Sequence, residues 1–404
     1  MSSRPSPPTT AGRRPRRPAD RRVVILRTAA KAFSENGYHA VKLDDIAAAA
    51  GLSAPALYRH FPNKYALFAE TARMLADALA SAVAAVPADA DDPEAELRGL
   101  LRALTGASVA NRRTGGLYHW ELDYLEGDDA AQVRAIIVDQ HRRIRGALQR
   151  MRPELATRAA DVLTAAMTSV VASPSTHRAT LPARQIVELI TAAAMSLAGL
   201  DLPDVADTSQ TPASGLPPTS KRELLLAESM RLFAAHGFHD VTIDDIARAA
   251  DLPSSGVYRH YESKSAILLA AFWRASDRVS AIIADALASS TTPREVIVAL
   301  VTKYVDLAYT TDMLTVYVSE IGNVAAPQRT ELRSRQRINV DEWAAWVGQD
   351  RPELSLLQAR FLVQAVLNLT IDLTRPHRRP PAPHVTAIGL RILLGDSDGV
   401  EVGQ

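Results

Sequence analysis

The sequence predicts an all-α protein built from two nine-helix units in tandem, and three observations carry that expectation. Residues 36–64 and 236–264 align without a gap and are identical at 14 of 29 positions, the mark of a duplicated structural unit. Outside two polar, proline-rich stretches, apolar residues recur three and four apart through long windows of Ala, Leu, Arg and Glu, with few alternating β-branched runs. A length of 404 residues also suits two cores of about 200 residues each better than one.

The elements follow in order. Residues 1–18 set Arg13, Arg14, Arg16 and Arg17 among Ser, Pro and Thr, which offer too little apolar surface to order themselves, and read as a disordered basic arm. The spacing predicts helices over 20–36, 43–50, 54–60, 64–86, 93–110, 117–126, 129–151, 154–172 and 183–199. Pro87, Pro93, Pro153, Pro174 and Pro182 fall at or near the joints, where a residue without an N–H is tolerated. Residues 203–218, holding Pro203, Pro212, Pro217 and Pro218, read as an inter-domain linker. Helices then recur over 219–236, 243–250, 254–260, 264–288, 293–310, 313–323, 327–348, 353–373 and 384–394. The tetrapeptide Arg152-Pro153-Glu154-Leu155 returns as Arg351-Pro352-Glu353-Leu354, so the duplication spans whole domains. The expected layout is an arm over 1–18, a small helical head over 19–63, a larger helical domain over 64–202, the linker, a second head over 219–263 and a second large domain over 264–404.

Composition excludes several functions. With no cysteine there is no disulfide, thiolate metal site or cysteine nucleophile. No Gly-rich phosphate loop, nucleophile elbow or His-Glu-x-x-His stands in the chain, and His177 and His377 are isolated matches, so neither enzymatic activity, cofactor nor metal is expected. No run approaches the roughly 18 apolar residues of a spanning helix, and a cytoplasmic location without membrane attachment is expected. The formal net charge of +1 requires any nucleic-acid surface to come from local clustering.

Within each repeat, the first helix closes on Gly37 or Gly237, placed where a positive φ costs least. A short helix follows with Ile46, Ala47 and Ala50, or Ile246, Ala247 and Ala250, on one face. In the second copy Thr242 and Asp245 have capping-box spacing, whereas Lys42 stands at the corresponding place in the first. A three-residue turn on Leu52 or Leu252 leads into a second short helix. Two short helices crossing through small residues describe a helix-turn-helix, whose second helix enters the major groove. The base-facing candidates are Ser53, Ala54 and Ala56, and Pro253, Ser254, Ser255 and Gly256. Tyr58, Arg59, His60 and Lys64, and Tyr258, Arg259, His260 and Lys264, supply donors for phosphate, with Lys42 and Thr242 at the helix entrance.

The Phe-x3-Gly-Tyr/Phe entry, the Asp-Ile-Ala-x-Ala helix and the Leu/Val-Tyr-Arg-His-Phe/Tyr-x2-Lys close resemble the TetR/AcrR family of bacterial transcription regulators, over about residues 22–68 and 222–268. The resemblance implies a three-helix DNA-binding unit followed by a helical domain that holds a small-molecule effector and dimerises through its last two helices. It also implies that the effector changes the separation of two recognition helices. Ordinary members carry one such unit and pair as homodimers; this chain carries two. Asp44 and Asp244 replace residues that contact DNA in some relatives.

The implied partners are a double-stranded DNA operator, an unidentified small molecule, and either the other half of the same chain, as an intrachain pseudo-dimer, or a second chain. Identity between copies is concentrated in framework and phosphate-facing positions, whereas Ser53-Ala54-Pro55-Ala56 shares nothing with Pro253-Ser254-Ser255-Gly256. The expected function is a ligand-responsive repressor reading an imperfect or asymmetric operator. The alternative is a sensor or protein-interaction module with one or both heads degenerate. His119, Trp120, Glu121, Tyr124, Tyr317, Glu320 and Asn323 are the candidates for lining the effector pocket. The basic arm either enters a minor groove or remains a charged tail.

Overall fold

The computed structural model describes residues 18–88, 91–112, 124–205, 218–375 and 379–395. Among them there is no strand. The first unit contains α1 (Pro18–Asn36), α2 (Leu43–Ala49), α3 (Ala54–Tyr58), α4 (Lys64–Ala84), α5 (Pro93–Ala110), α6 (Gly127–Met151), α7 (Thr157–Ala172) and α8 (Ala183–Ser196). The second contains α9 (Lys221–His236), α10 (Ile243–Ala249), α11 (Ser254–Tyr258), α12 (Lys264–Ser289), α13 (Pro293–Thr310), α14 (Met313–Glu320), α15 (Ala326–Asp350), α16 (Leu356–Leu373) and α17 (Ala382–Leu394). Most of the helix expected over 117–126, most of the linker and nearly all of the basic arm lie outside the described residues, as does His377.

Two expectations on helix ends are corrected. The helices placed at 154 and 353 begin three residues later, because each Arg-Pro-Glu-Leu forms a turn in which the Leu155 and Leu354 amides donate to the Arg152 and Arg351 carbonyls. The helices expected to reach residues 60 and 260 stop at Tyr58 and Tyr258, where the His60 and His260 amides fold back onto Leu57 and Val257.

Local chemistry accounts for the joints. Gly37 and Gly237 have φ of +79° and +78°, and their amides close α1 and α9 on Phe33 and Phe233. Asn63 caps the Ala66 amide at 2.8 Å and Ser263 caps Ala266 at 3.1 Å, which starts the long helices α4 and α12. Asp92 and Thr292 do the same for α5 and α13, each ahead of a proline in the first turn.

The two halves join through their last helices. Helix α7 packs against α16, and α8 packs against both α16 and α17. Across this seam the buried Asn368 amide donates to Ser169 Oγ at 3.2 Å, and Arg391 Nε donates to the Ser196 carbonyl at 3.1 Å. The Arg112 guanidinium and the His177 ring from the first half both pack on Phe361 of the second, at 5.1 and 4.7 Å. Helix α16 is long and apolar enough to cross a membrane by length and composition, unlike the sequence-based expectation, but two thirds of it lies buried inside the protein. The first head keeps its own buried cluster around Ile25, Phe33, Ile46, Leu57 and Phe68, whereas the core of the second head is continuous with the rest of the molecule.

Candidate nucleic-acid interface

Each head is a tripod of three helices on the start of a fourth. In the first, Ile46 and Ala47 of α2 and Leu57 of α3 are buried against α1 and α4. In the second, Ile246, Ala247 and Val257 take the same places. The turn between the short helices is held by the Leu52 and Leu252 amides donating to the Ala47 and Ala247 carbonyls at 2.8 and 2.9 Å. It needs a positive φ just before leucine, +70° at Gly51 and +52° at Asp251, the latter within the tolerance of an aspartate. An Arg–Glu bracket ties the first helix of each head to its fourth, with the charges exchanged: Arg22 to Glu70 in one, Glu223 to Arg274 in the other.

Burying those faces leaves the opposite face outward. Ser53, Arg59, Pro253, Ser255 and Arg259 are exposed, and Ala54, Ala56, Ser254, His60 and His260 half-exposed. Tyr58 and Tyr258 are 50% and 57% exposed, although both are large aromatics that a core would normally absorb. Nothing in the packing of either head uses these rings, so their outward position suits contact with another molecule.

Several expected site residues have other roles. Gly256 is buried against Leu252 and Pro253 and presents nothing outward. The Ser254 hydroxyl donates to the Asp244 carboxylate, which ties the start of α11 to α10; Ala54 makes no such bond in the first head. Thr242 forms a reciprocal capping box with Asp245, at 3.1 and 2.9 Å, while Lys42 makes no side-chain cap. The Lys64 ammonium donates to the carbonyls of Tyr38, His39 and Val41 at 3.0 to 3.3 Å. Lys264 does the same to Phe238, His239 and Val241. Both lysines therefore pin the loop after the first helix, which corrects their reading as phosphate donors, since three N–H groups meet three carbonyls. Burial lowers the Lys264 pKa, and the nearby carboxylates of Glu320 and Asp240 oppose that shift.

Of the effector-pocket candidates, Tyr124, Tyr317, Glu320 and Asn323 lie among the described residues. His119, Trp120 and Glu121 lie outside the described residues. Tyr124 packs on the first head, stacked on Tyr38 at 5.4 Å and edge-on to His39 at 4.8 Å. Tyr317 packs edge-on to Phe272 at 5.0 Å within the core, and burial pushes its hydroxyl up to about 12. Glu320 is buried, accepts the Phe238 amide at 3.2 Å and the Asn323 side-chain amide at 2.6 Å, and burial raises its pKa against those two hydrogen bonds. Asn323 in turn meets His239 at 2.8 Å. Tyr124, Glu320 and Asn323 thus line the joints between heads and large domains. The sequence showed an aromatic cluster with polar neighbours but could not show which partners Tyr124, Tyr317, Glu320 and Asn323 engage.

Sequence reasoning missed His39 and His239. They sit at the same position of the two repeats, and their rings stack across the heads at 3.9 Å with 28° between planes. Their conservation between copies was visible, but a contact across two hundred residues leaves no periodic trace.

The family model described as bacterial regulatory proteins, tetR family, matches residues 25–71 and 225–271. Over 116 residues the chain is 34% identical to the HTH-type transcriptional activator FasR of Mycolicibacterium smegmatis, covering 28% of this chain and 52% of that protein. Over 109 residues it is 31% identical to the HTH-type transcriptional repressor KstR2 of Rhodococcus jostii, covering 27% and 53%. The chain thus spans about half the length of these curated relatives. Among solved structures, the ketosteroid transcriptional regulator KstR2 of Mycobacterium tuberculosis aligns with a TM-score of 0.40 and 23% identity, covering 44% of this chain and 95% of that one. The N-terminal domain of the tetR family is thus matched twice on one all-α chain, as in a tandem arrangement of two TetR-like units.

Proposed function

We propose that this chain is a DNA-binding transcription regulator in which the two halves pair with each other, so that one chain presents two unlike reading heads to one asymmetric operator. The observation that carries the reading is the contrast within the repeat. Two matched scaffolds each expose Tyr, Arg and His beside a short helix, yet the outward residues are Ser53, Ala54, Pro55 and Ala56 on one and Pro253, Ser254 and Ser255 on the other. Contacts to phosphate position such a protein and contacts to base edges specify its sequence, so like grips with unlike faces fit unlike half-sites. Pairing through α7, α8, α16 and α17 places the heads on one body, with recognition helices expected about one DNA turn, roughly 34 Å, apart or somewhat more.

A small-molecule effector and a cytoplasmic location remain part of the reading. The repressor role rests on family resemblance alone, since the relatives include an activator and a repressor by name. The test is a gel shift on the DNA upstream of the protein's own coding sequence, with Tyr58→Ala and Tyr258→Ala made singly. Each substitution is expected to weaken binding at least tenfold, about 1.4 kcal/mol. Loss from one substitution alone identifies a single working head, and no shift of the native chain at low salt favours a sensor or interaction module instead. A promoter fusion then separates repression from activation.

A further inference from the structure

The loops after α1 and α9 meet each other. The His39 and His239 rings stack face to face at 3.9 Å. The His239 Nε2 meets Asn323 Oδ1 at 2.8 Å, and the Asn323 amide donates to the buried Glu320, which also accepts the Phe238 amide. The same short turn that carries Asn323 reaches the first head, because Gly322 lies under the Asn36 carbonyl, where an added Cβ would stand 3.2 Å from its oxygen. One segment of the second unit thus touches both heads, and the histidine pair is where the heads touch each other.

We propose that His39 and His239 are positioning residues forming an acid-sensitive clasp that holds the two reading heads at one separation and releases them when the His39 imidazole takes up a proton. The reading rests on DNA binding only for its biological consequence; the clasp itself is a property of the free chain.

The surroundings of His39 favour its neutral ring. His39 faces the Tyr38 and Tyr124 rings at 5.2 and 4.8 Å, and its Nε2 is buried without a hydrogen-bond acceptor. The Lys64 ammonium and the Asp240 carboxylate act on it with opposite sign, and on the far side Lys264 lies near Glu320. A proton on His39 Nε2 would place an N–H with no acceptor beside a lysine and under a second imidazole. Burial first, then His239 and Lys64, lower the His39 pKa, while Asp240 raises it. A depressed histidine stabilises the closed arrangement fully above the ordinary imidazole value and loses that contribution as pH falls below it.

The chain has no cysteine, so one introduced on each head takes a spin label without interference. Ala48→Cys and Arg248→Cys lie at exposed, equivalent positions on α2 and α10. The distance between them is read by pulsed electron resonance, without DNA, at about pH 8 and about pH 5.5, on either side of the ordinary imidazole value. The expected result is one narrow distance at the higher pH and a distribution roughly twice as wide or shifted by several ångströms at the lower, with helical circular dichroism unchanged. His39→Phe keeps an aromatic ring that cannot titrate and is expected to remain narrow at both pH values. A native distribution that is the same at both, or an equal change in His39→Phe, overturns the proposal. A failed gel shift with the expected distance change would instead remove the DNA-binding reading and leave the clasp standing.

Discussion

At the scale of single residues, the two heads differ in how firmly each detail is fixed. Thr242 closes a capping box at the start of α10, while Lys42 leaves α2 without a side-chain cap. Thr242→Ala is therefore expected to lower the stability of its head by about 1 kcal/mol and Lys42→Thr to raise that of the other by a similar amount, both measured by urea denaturation. This asymmetry was legible in the sequence, because a capping box is local. The role of Lys64 was not, because its three carbonyl partners lie 23 to 26 residues away in a loop whose path the sequence does not give. Lys64→Met leaves three carbonyls without that ammonium and is expected to cost about 1–3 kcal/mol of stability. The salt dependence of DNA binding should stay unchanged; a slope reduced by about one would return Lys64 to the phosphate contacts.

At the scale of elements, the head scaffolds were the most legible part, since Phe33, Gly37, Ile46, Leu52 and Leu57 and their counterparts announce core and turn positions by spacing alone. What the outward face of α11 presents was less legible: Gly256 turns inward and Ser254 is engaged by Asp244. Replacing the face of the second head by that of the first, with Pro253→Ser, Ser254→Ala, Ser255→Pro and Gly256→Ala, tests whether these residues read sequence. The added Cβ at Gly256 would meet its neighbours at 3.5 Å or more, which is ordinary contact. In competition gel shifts the exchanged chain is expected to prefer a palindrome of the first half-site by about tenfold or more over the native operator, as each altered base pair is worth about 1–3 kcal/mol. Unchanged preference would move specificity to other residues.

The helix pairs that join the halves carry their own pH dependence. Burial, with the Arg112 charge beside it, pushes His177 down to about 3. Because that value lies below the ordinary imidazole range, the stability from neutral His177 is complete above about pH 6.5 and is lost progressively as the pH falls toward 3. His177→Phe is expected to flatten the fall of the urea midpoint over that window. Equal slopes in both proteins would place the acid sensitivity elsewhere.

At the scale of the whole molecule, the duplicated heads and the shared turn Arg-Pro-Glu-Leu made two units readable from the sequence, but their mode of union was not. The seam depends on pairs such as Ser169 with Asn368 and His177 with Phe361, each about two hundred residues apart and each made of residues common in any helical core. It joins the halves through the surface that the family resemblance assigns to pairing between chains. A chain already paired with itself has both heads and one covered interface. The most direct test is the mass of the protein–operator complex in native mass spectrometry or sedimentation. The account predicts one chain of 43.6 kDa per operator duplex, with both Tyr58 and Tyr258 required for full affinity. A complex holding two chains on one operator, each using a single head, would contradict it.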